Sequence, residues 1–135
     1  MKPALIALAA LAFSFTLPGC QSSHEKGVTS NYHSQWTSVH ADVKTTTKAA
    51  ESVLNDAELK EVSSSSTNVD GTASGKKSDG TKVNVAVRKE KESTSQVSVT
   101  VGKMGDPELG AELAKKIKEQ AEIGTSSVST TRPRP

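Results

Sequence analysis

The sequence KVNVAVRKEKESTSQVSVTV, Lys82–Val101, contains the clearest secondary-structure pattern in this chain. Valine occupies every second position in its first part (83, 85 and 87) and again in its last part (97, 99 and 101). This period of two predicts two strands, each with one buried and one mostly polar face. The charged segment Lys89–Ser93 predicts a turn between them. We therefore expect two antiparallel neighbours.

The segments before this stretch predict further strands. Gly71–Lys77 is expected to be an edge strand, and Asp79-Gly80 supplies residues that accept positive φ in a tight hairpin. Leu59–Thr67 is a weaker strand because it contains four consecutive serines. Asn31–Thr37 is expected to be a first, weak strand.

The segment after it predicts a strand exit and a helix. Gly102 and Gly105 permit a change of backbone direction. Asp106 suits the N-cap of a helix and Pro107 its first position. Apolar residues at helical spacing follow, and Gly124 is expected to end the helix.

A first helix is predicted over Asp42–Asn55, with Asp42 as its N-cap. The chain therefore has the expected order β-α-β-β-β-β-α. We predict an α+β domain over residues 31–123, in which two amphipathic helices cover one face of an antiparallel sheet of about four strands. Residues 124–135 are expected to be a disordered tail.

The N-terminal segment has the composition of an export signal. Lys2 precedes roughly a dozen apolar residues, too few to cross the ~30 Å hydrocarbon core as a resident helix. Leu17-Pro18-Gly19-Cys20 then resembles the lipobox of bacterial lipoproteins, in which a signal peptidase recognises the three residues before the cysteine. The resemblance implies that the Cys20 thiol is lipidated. Cys20 is the only cysteine, so it cannot form a disulfide within the chain.

Residues 1–19 are thus expected to be a lipoprotein signal peptide, and residues 20–30 a lipidated cysteine with a flexible tether. Gln21 and Ser22 follow the cysteine without an aspartate, a pattern similar to outer-membrane sorting on the periplasmic side. The remaining 116 residues have nearly balanced charges, which argues against binding of nucleic acid. They contain only two aromatic residues, Tyr32 and Trp36, so the core must be aliphatic.

Two stretches resemble the motifs of a family of small bacterial lipoproteins whose domain has no assigned function. Asp79–Val83 is similar to its DG-x-x-V hairpin, and Val97–Asp106 to its V-x-V-G-x-x-G-D strand-to-helix junction. The resemblance covers about Tyr32–Lys118 together with the lipobox. It implies the fold described above and brings no catalytic residue with it.

Three histidines and four carboxylates are candidate chemical groups, and each has a simpler interpretation. The histidines share no clear periodicity, so exposed positions are favoured over a metal site. The carboxylates suit turns and caps, so structural roles are favoured over paired acid–base catalysis. No cofactor, metal or catalytic residue is predicted. The groups are His24, His33, His40, Asp70, Asp79, Asp106 and Glu108.

Two further patterns concern ligands. Gly102-Lys103-Met104-Gly105 is similar to the GxxG loop of RNA-binding KH domains, but that loop joins two helices, so a strand exit is favoured. Basic clusters alternate with glutamates, which favours a solvated face over contact with anionic headgroups or glycan. These clusters are Lys76-Lys77, Arg88-Lys89-Lys91 and Lys115-Lys116-Lys118.

Together these patterns predict a lipid-anchored, non-enzymatic envelope protein whose domain is an interaction or assembly accessory module. Its partners would be the membrane and an envelope protein, and not nucleic acid. A small-molecule or glycan-binding module is the alternative, and a hydrolase comes third. The alternative would use the uncovered sheet face, which is expected to carry Lys82, Asn84, Arg88, Gln96, Ser98 and Thr100.

Overall fold

The computed structural model describes residues 27–31 and 33–128, which form six strands and two helices. In chain order these are β1 (Thr29–Ser30), β2 (Ser34–Val39), α1 (Val43–Asp56), β3 (Lys60–Ser66), β4 (Asp70–Lys76), β5 (Lys82–Lys91), β6 (Thr94–Val101) and α2 (Pro107–Val128). The predicted α+β class and antiparallel sheet are confirmed. The expectation of about four strands was too low.

The six strands form one antiparallel sheet in the order β1-β2-β6-β5-β4-β3. The predicted pairing of β5 with β6 is confirmed, and β2 pairs with the other side of β6. The expectation that Gly71–Lys77 forms an edge was wrong, because β3 pairs along the outside of β4. All four serines of β3 are exposed, and the strand is held by backbone pairing with β4, by the half-buried Val62 and by a hydrogen bond of 2.5 Å from Ser64 Oγ to Glu51 Oε2.

One face of the sheet, called the inner face below, carries the hydrophobic core. Val83 lies opposite Val101, and Val85 lies opposite Val99, so the alternating valines of β5 and β6 meet on this face. Both helices pack against it, which buries their apolar sides. The helix residues in the core include Ala50, Val53 and Leu54 of α1 and Leu113, Ala114, Ile117 and Ala121 of α2.

The start of α1 explains why a threonine run is compatible with a helix. Asp42 caps the helix as predicted, and its Oδ1 accepts a hydrogen bond of 2.8 Å from the Thr45 amide. Thr46 is fully buried, and its hydroxyl lies 2.8 Å from the Ser95 hydroxyl. Ser95 in turn donates to the carbonyl of Ala41 at 3.0 Å. The polar atoms buried here are therefore hydrogen-bonded.

The C-terminal helix extends beyond its predicted end. Gly124 was expected to stop it, but α2 continues to Val128. Hydroxyl groups after the glycine bond back to helix carbonyls, as in the 3.0 Å contact from Thr125 Oγ1 to the Ala121 oxygen. Residues 124–128 of the expected tail are thus helical, and residues 129–135 lie outside the described part.

The last residues of the predicted tether are attached to the sheet. Thr29 and Ser30 pair with β2, and the Thr37 hydroxyl donates to the Gly27 carbonyl at 2.6 Å. Residues 20–26 lie outside the described part. Within the described ranges, no helix has both the length and the apolar character needed to cross a membrane.

Candidate functional site

The face of the sheet opposite the helices, called the outer face below, is polar and accessible. Its side chains are exposed or half-buried, in contrast to the buried inner face. The strand register aligns short polar side chains in rows across the strands. The two central rows are Ser63, Ser74, Asn84, Thr100 and Ser34, and Ser65, Thr72, Ala86, Ser98, Trp36 and Thr29.

A depression of about 290 Å³ lies in the middle of the outer face. Four of the residues that line it carry hydroxyl groups, and Asn84 carries a side-chain amide. Thr100 Oγ1 lies 2.7 Å from Ser34 Oγ, which orients both hydroxyls at the β2 side. The residues lining the depression are Thr72, Ala73, Ser74, Asn84, Val85, Ala86, Ser98 and Thr100.

The predicted hairpin residues form a closed turn at one end of this face. The amide of Lys77 donates to the Thr81 carbonyl at 2.9 Å, and the amide of Gly80 donates to the Lys77 carbonyl at 2.9 Å. Gly80 has the predicted positive φ, at 86°, but Asp79 does not, so the expectation was wrong for Asp79. Asp79 instead contributes its side chain, because its Oδ1 accepts the Thr81 amide at 2.8 Å.

The predicted strand exit lies beside this turn. Gly102 has φ 66°, and its amide donates to the Lys82 carbonyl at 2.7 Å. A Cβ atom on Gly102 would lie 3.1 Å from Thr81 Cγ2, so a glycine fits this contact best. A cavity of about 530 Å³ lies between the two segments and is lined by Asp79, Gly80, Thr81, Lys82, Asn84, Gly102 and Lys103.

The charges around this cavity are unequal. Hydrogen bonds from the amide and hydroxyl of Thr81, followed by the charge of Lys77, hold the pKa of Asp79 below its ordinary value. Lys77 Nζ lies 3.7 Å from Asp79 Oδ2, so this carboxylate already has partners. Within the described part of the chain, Lys103 has no ion pair. The cavity therefore presents excess positive charge.

Lys82, the second cation in the cavity wall, influences a neighbouring carboxylate. The pKa of Glu61 is lowered first by its hydrogen bond and ion pair with Lys76, at 2.5 Å, and to a smaller extent by Lys82. Glu61 is thus bound mainly by Lys76. The ammonium group of Lys82 forms no ion pair of its own with the described residues.

The other two predicted turn and cap residues belong to the start of α2. Gly105 has φ 79°, and Asp106 Oδ1 accepts a hydrogen bond from the Leu109 amide at 3.1 Å. The predicted N-cap is therefore confirmed. The loop Gly102–Gly105 joins a strand to a helix, which differs from the two-helix setting of a KH loop.

The remaining candidates are not brought together. Asp70 bonds to Thr67 at the start of β4, whereas Asp79 follows the other end of that strand. His40 Nδ1 lies 3.1 Å from Glu122 Oε1. Among residues 27–31 and 33–128, no three His, Cys, Asp or Glu side chains lie close enough to hold a metal ion. Leu17, Pro18, Gly19, Cys20 and His24 lie outside the described residues.

The exposed basic residues pair locally with glutamates in several places. Lys116 Nζ lies 2.7 Å from Glu112, and Lys89 Nζ lies 3.6 Å from Glu92. Both pairs are exposed to solvent, which agrees with the interpretation of the basic clusters as solvated surface. Exposed pairs of this kind contribute little to stability. Lys82 and Lys103 were not among those clusters.

Sequence reasoning missed two features of this site. One is the position of Trp36, which the register places in the same row as Ser98 and Ala86. The other is the approach of the Gly80 turn to the Gly102 exit. The valine alternation could have indicated this approach in part. It predicts antiparallel pairing of β5 with β6, which puts the start of β5 beside the end of β6.

The fold and site define a small α+β domain with a helical layer on one side of a sheet and a polar surface on the other. Residues 4–120 match the family described as Protein of unknown function (DUF3568), and the chain belongs to this family. A comparison with curated proteins finds no match.

Proposed function

We propose that this protein is a lipid-anchored envelope protein without catalytic activity, and that its α+β domain is an interaction or assembly accessory module. Leu17-Pro18-Gly19-Cys20, at the end of a short apolar run, is the observation that carries the anchor. The thiolate of Cys20 is the nucleophile that would accept the lipid. A protein with two or more acyl chains remains on a bilayer, because each buried methylene contributes ~0.8 kcal/mol.

The anchor is tested by metabolic labelling with a palmitate analogue and by membrane fractionation. The wild-type protein should carry the label and sediment with membranes, whereas Cys20→Ser should do neither. Ser22→Ala is the matched control and should behave as wild type. An unlabelled wild-type protein, or an intact Met1 in its mass spectrum, contradicts the anchor.

The uncovered outer face supports the role in interaction. Polar rows from neighbouring strands form a continuous surface there, and the helices leave it accessible. A photo-crosslinker at Ser98 should join the domain to a defined envelope component in intact cells. The same group at Glu119, which is exposed on α2, is the control and should not. Equal products from both positions contradict a role for this face.

A second candidate function is the binding of a small molecule or glycan on the outer face. It is favoured by the 290 Å³ depression, whose wall combines hydroxyl groups with the Asn84 amide, and by the nearby aromatic ring of Trp36. Binding sites commonly combine aromatic surface with a few oriented polar groups. Ligand-dependent change in the fluorescence of Trp36 would test it.

A further inference from the structure

The two cavities of the outer face adjoin one another. Asn84 lines both of them, and Thr100 of the depression lies two residues before Gly102 of the hairpin cavity on the same chain segment. We call the combined surface the outer-face track. It is defined by Lys82, Lys103, Asn84, Thr100, Ser98 and Trp36.

The hairpin end of the track suits an anionic group. Lys82 and Lys103 line the cavity there, and neither has an ion pair within the described part of the chain. The one carboxylate in this wall, Asp79, is held by Thr81 and Lys77. A ligand carboxylate between the two ammonium groups would therefore gain charge-assisted hydrogen bonds without displacing an existing pair.

The rest of the track suits a chain of hydroxylated rings. Asn84 offers both a donor and an acceptor, and the half-buried Thr100 and Ser98 carry hydroxyl groups on the same face. Trp36 provides an aromatic surface in the row of Ser98. Four residues along a strand and two strand spacings separate Lys82 from Trp36, which is roughly 17 Å. That length fits a short oligosaccharide.

We infer that the outer-face track binds an acidic oligosaccharide, with a carboxylate of one sugar ring at Lys82 and Lys103 and another ring of the chain against Trp36. This inference deepens the second candidate function and rests on it, because it names the ligand class and the direction in which the ligand lies. It does not depend on the lipid anchor of Cys20.

Trp36 gives a direct test because it is the only tryptophan in the chain. The full chain, purified in detergent, is titrated with tetragalacturonate while tryptophan emission is recorded. A saturable change is expected, and it should weaken as salt is added. Lys82→Gln combined with Lys103→Gln should weaken binding about tenfold, the effect expected when hydrogen bonds to charged groups are lost.

Two controls separate this inference from simpler explanations. Lys89→Gln combined with Lys91→Gln removes the same charge from the other end of β5 and should leave the affinity unchanged. The methyl ester of tetragalacturonate keeps the sugar chain without its charge and should bind much more weakly.

Three results would overturn the inference. If the methyl ester binds as tightly as tetragalacturonate, the carboxylate is not recognised and the inference is wrong. Saccharide binding on the outer face, the second candidate function, would still be supported. Absence of any tryptophan response to either saccharide would reject binding on this face, whatever the Cys20 labelling shows. If anionic phospholipid vesicles bind through Lys82 and Lys103 while tetragalacturonate does not, the two lysines serve the membrane surface instead.

Discussion

Gly71 and Thr47 approach so closely that the glycine leaves no room for a side chain. A Cβ atom on Gly71 would overlap Thr47 Oγ1 and lie 3.2 Å from Thr47 Cβ. The threonine cannot easily move, because its buried hydroxyl donates to the Val43 carbonyl at 2.7 Å. Gly71→Ala should therefore lower the free energy of unfolding by about 1–3 kcal/mol, as overpacking does. Chemical denaturation measures this change.

A double-mutant cycle and a matched glycine serve as controls. The cost of Gly71→Ala should shrink in a Thr47→Ala background, because the overlapping hydroxyl is then absent. Gly124→Ala should instead stabilise the protein by about 0.5–1 kcal/mol, since alanine favours a helix and the nearest atom, Thr45 Cγ2, is 3.9 Å away. Equal destabilisation at both glycines would contradict the overlap with Thr47.

Asp42 links the stability of α1 to pH. Hydrogen bonds from the hydroxyl and amide of Thr45 hold the pKa of this carboxyl below its ordinary value. The stabilisation is complete above the unfolded pKa of about 4 and is lost as pH falls through the lower folded value. Asp42→Asn, which keeps a capping side chain, should reduce the loss of stability during acid titration.

The replacement of Asp42 by alanine separates capping from charge. Asp42→Ala should cost about 1 kcal/mol at neutral pH, because the first-turn amides lose their acceptor, whereas Asp42→Asn should cost little there. Urea denaturation at a series of pH values checks both variants. An unchanged acid dependence in Asp42→Asn would assign the effect to other carboxylates.

At the scale of elements, β3 differs from the central strands. All its serines are exposed and the strand pairs on one side only, whereas the valines of β5 and β6 are buried between neighbours. Its amides should therefore exchange with solvent faster than those of β5, because local opening of β3 exposes little apolar surface. Hydrogen–deuterium exchange with peptide resolution measures this order. Equal protection of Ser63–Ser66 and Val83–Val87 would contradict it.

The elements that have a burial pattern could be predicted together with their neighbours, whereas for the weaker strands the position in the sheet could not be predicted. The valines of β5 and β6 and the sequence Asp106-Pro107 carry local signals, and both predictions are confirmed. Leu59–Thr67 was predicted as a weaker strand and β3 forms there, but Ser63–Ser66 has no burial pattern that would place it outside β4. Gly124 gave a local stop signal that packing and hydroxyl contacts along α2 overcome. Thr29 lies in a strand because its backbone pairs with β2.

For the whole molecule, stability depends on a small aliphatic core. Among the described residues, the core cluster contains only Val, Leu, Ile and Ala side chains. Leu113→Ala should cost about 2–5 kcal/mol, because Leu113 is 2% exposed and its removal leaves a cavity. That is a large part of the ~5–15 kcal/mol typical of a domain. Thermal unfolding measures it, and Leu109→Ala at the partly buried rim should cost less.

The candidate site is only partly visible in the sequence for a related reason. The alternation of valine with polar residues is enough to assign Asn84, Ser98 and Thr100 to the polar face. It does not show that Trp36 joins them, because that depends on pairing between the first and last long strands of the sheet. Sequence periodicity thus reports the face of a residue, and only the register reports its neighbours across strands.

The hydrogen bond from Thr37 to Gly27 limits the distance between the domain and Cys20. With Gly27 fixed at the sheet, the chain back to Cys20 can reach about 25 Å at most, even when fully stretched. If lipid is attached at that cysteine, the domain stays within roughly one of its own diameters of the bilayer. Any polymer or protein that it meets must then come close to the membrane surface.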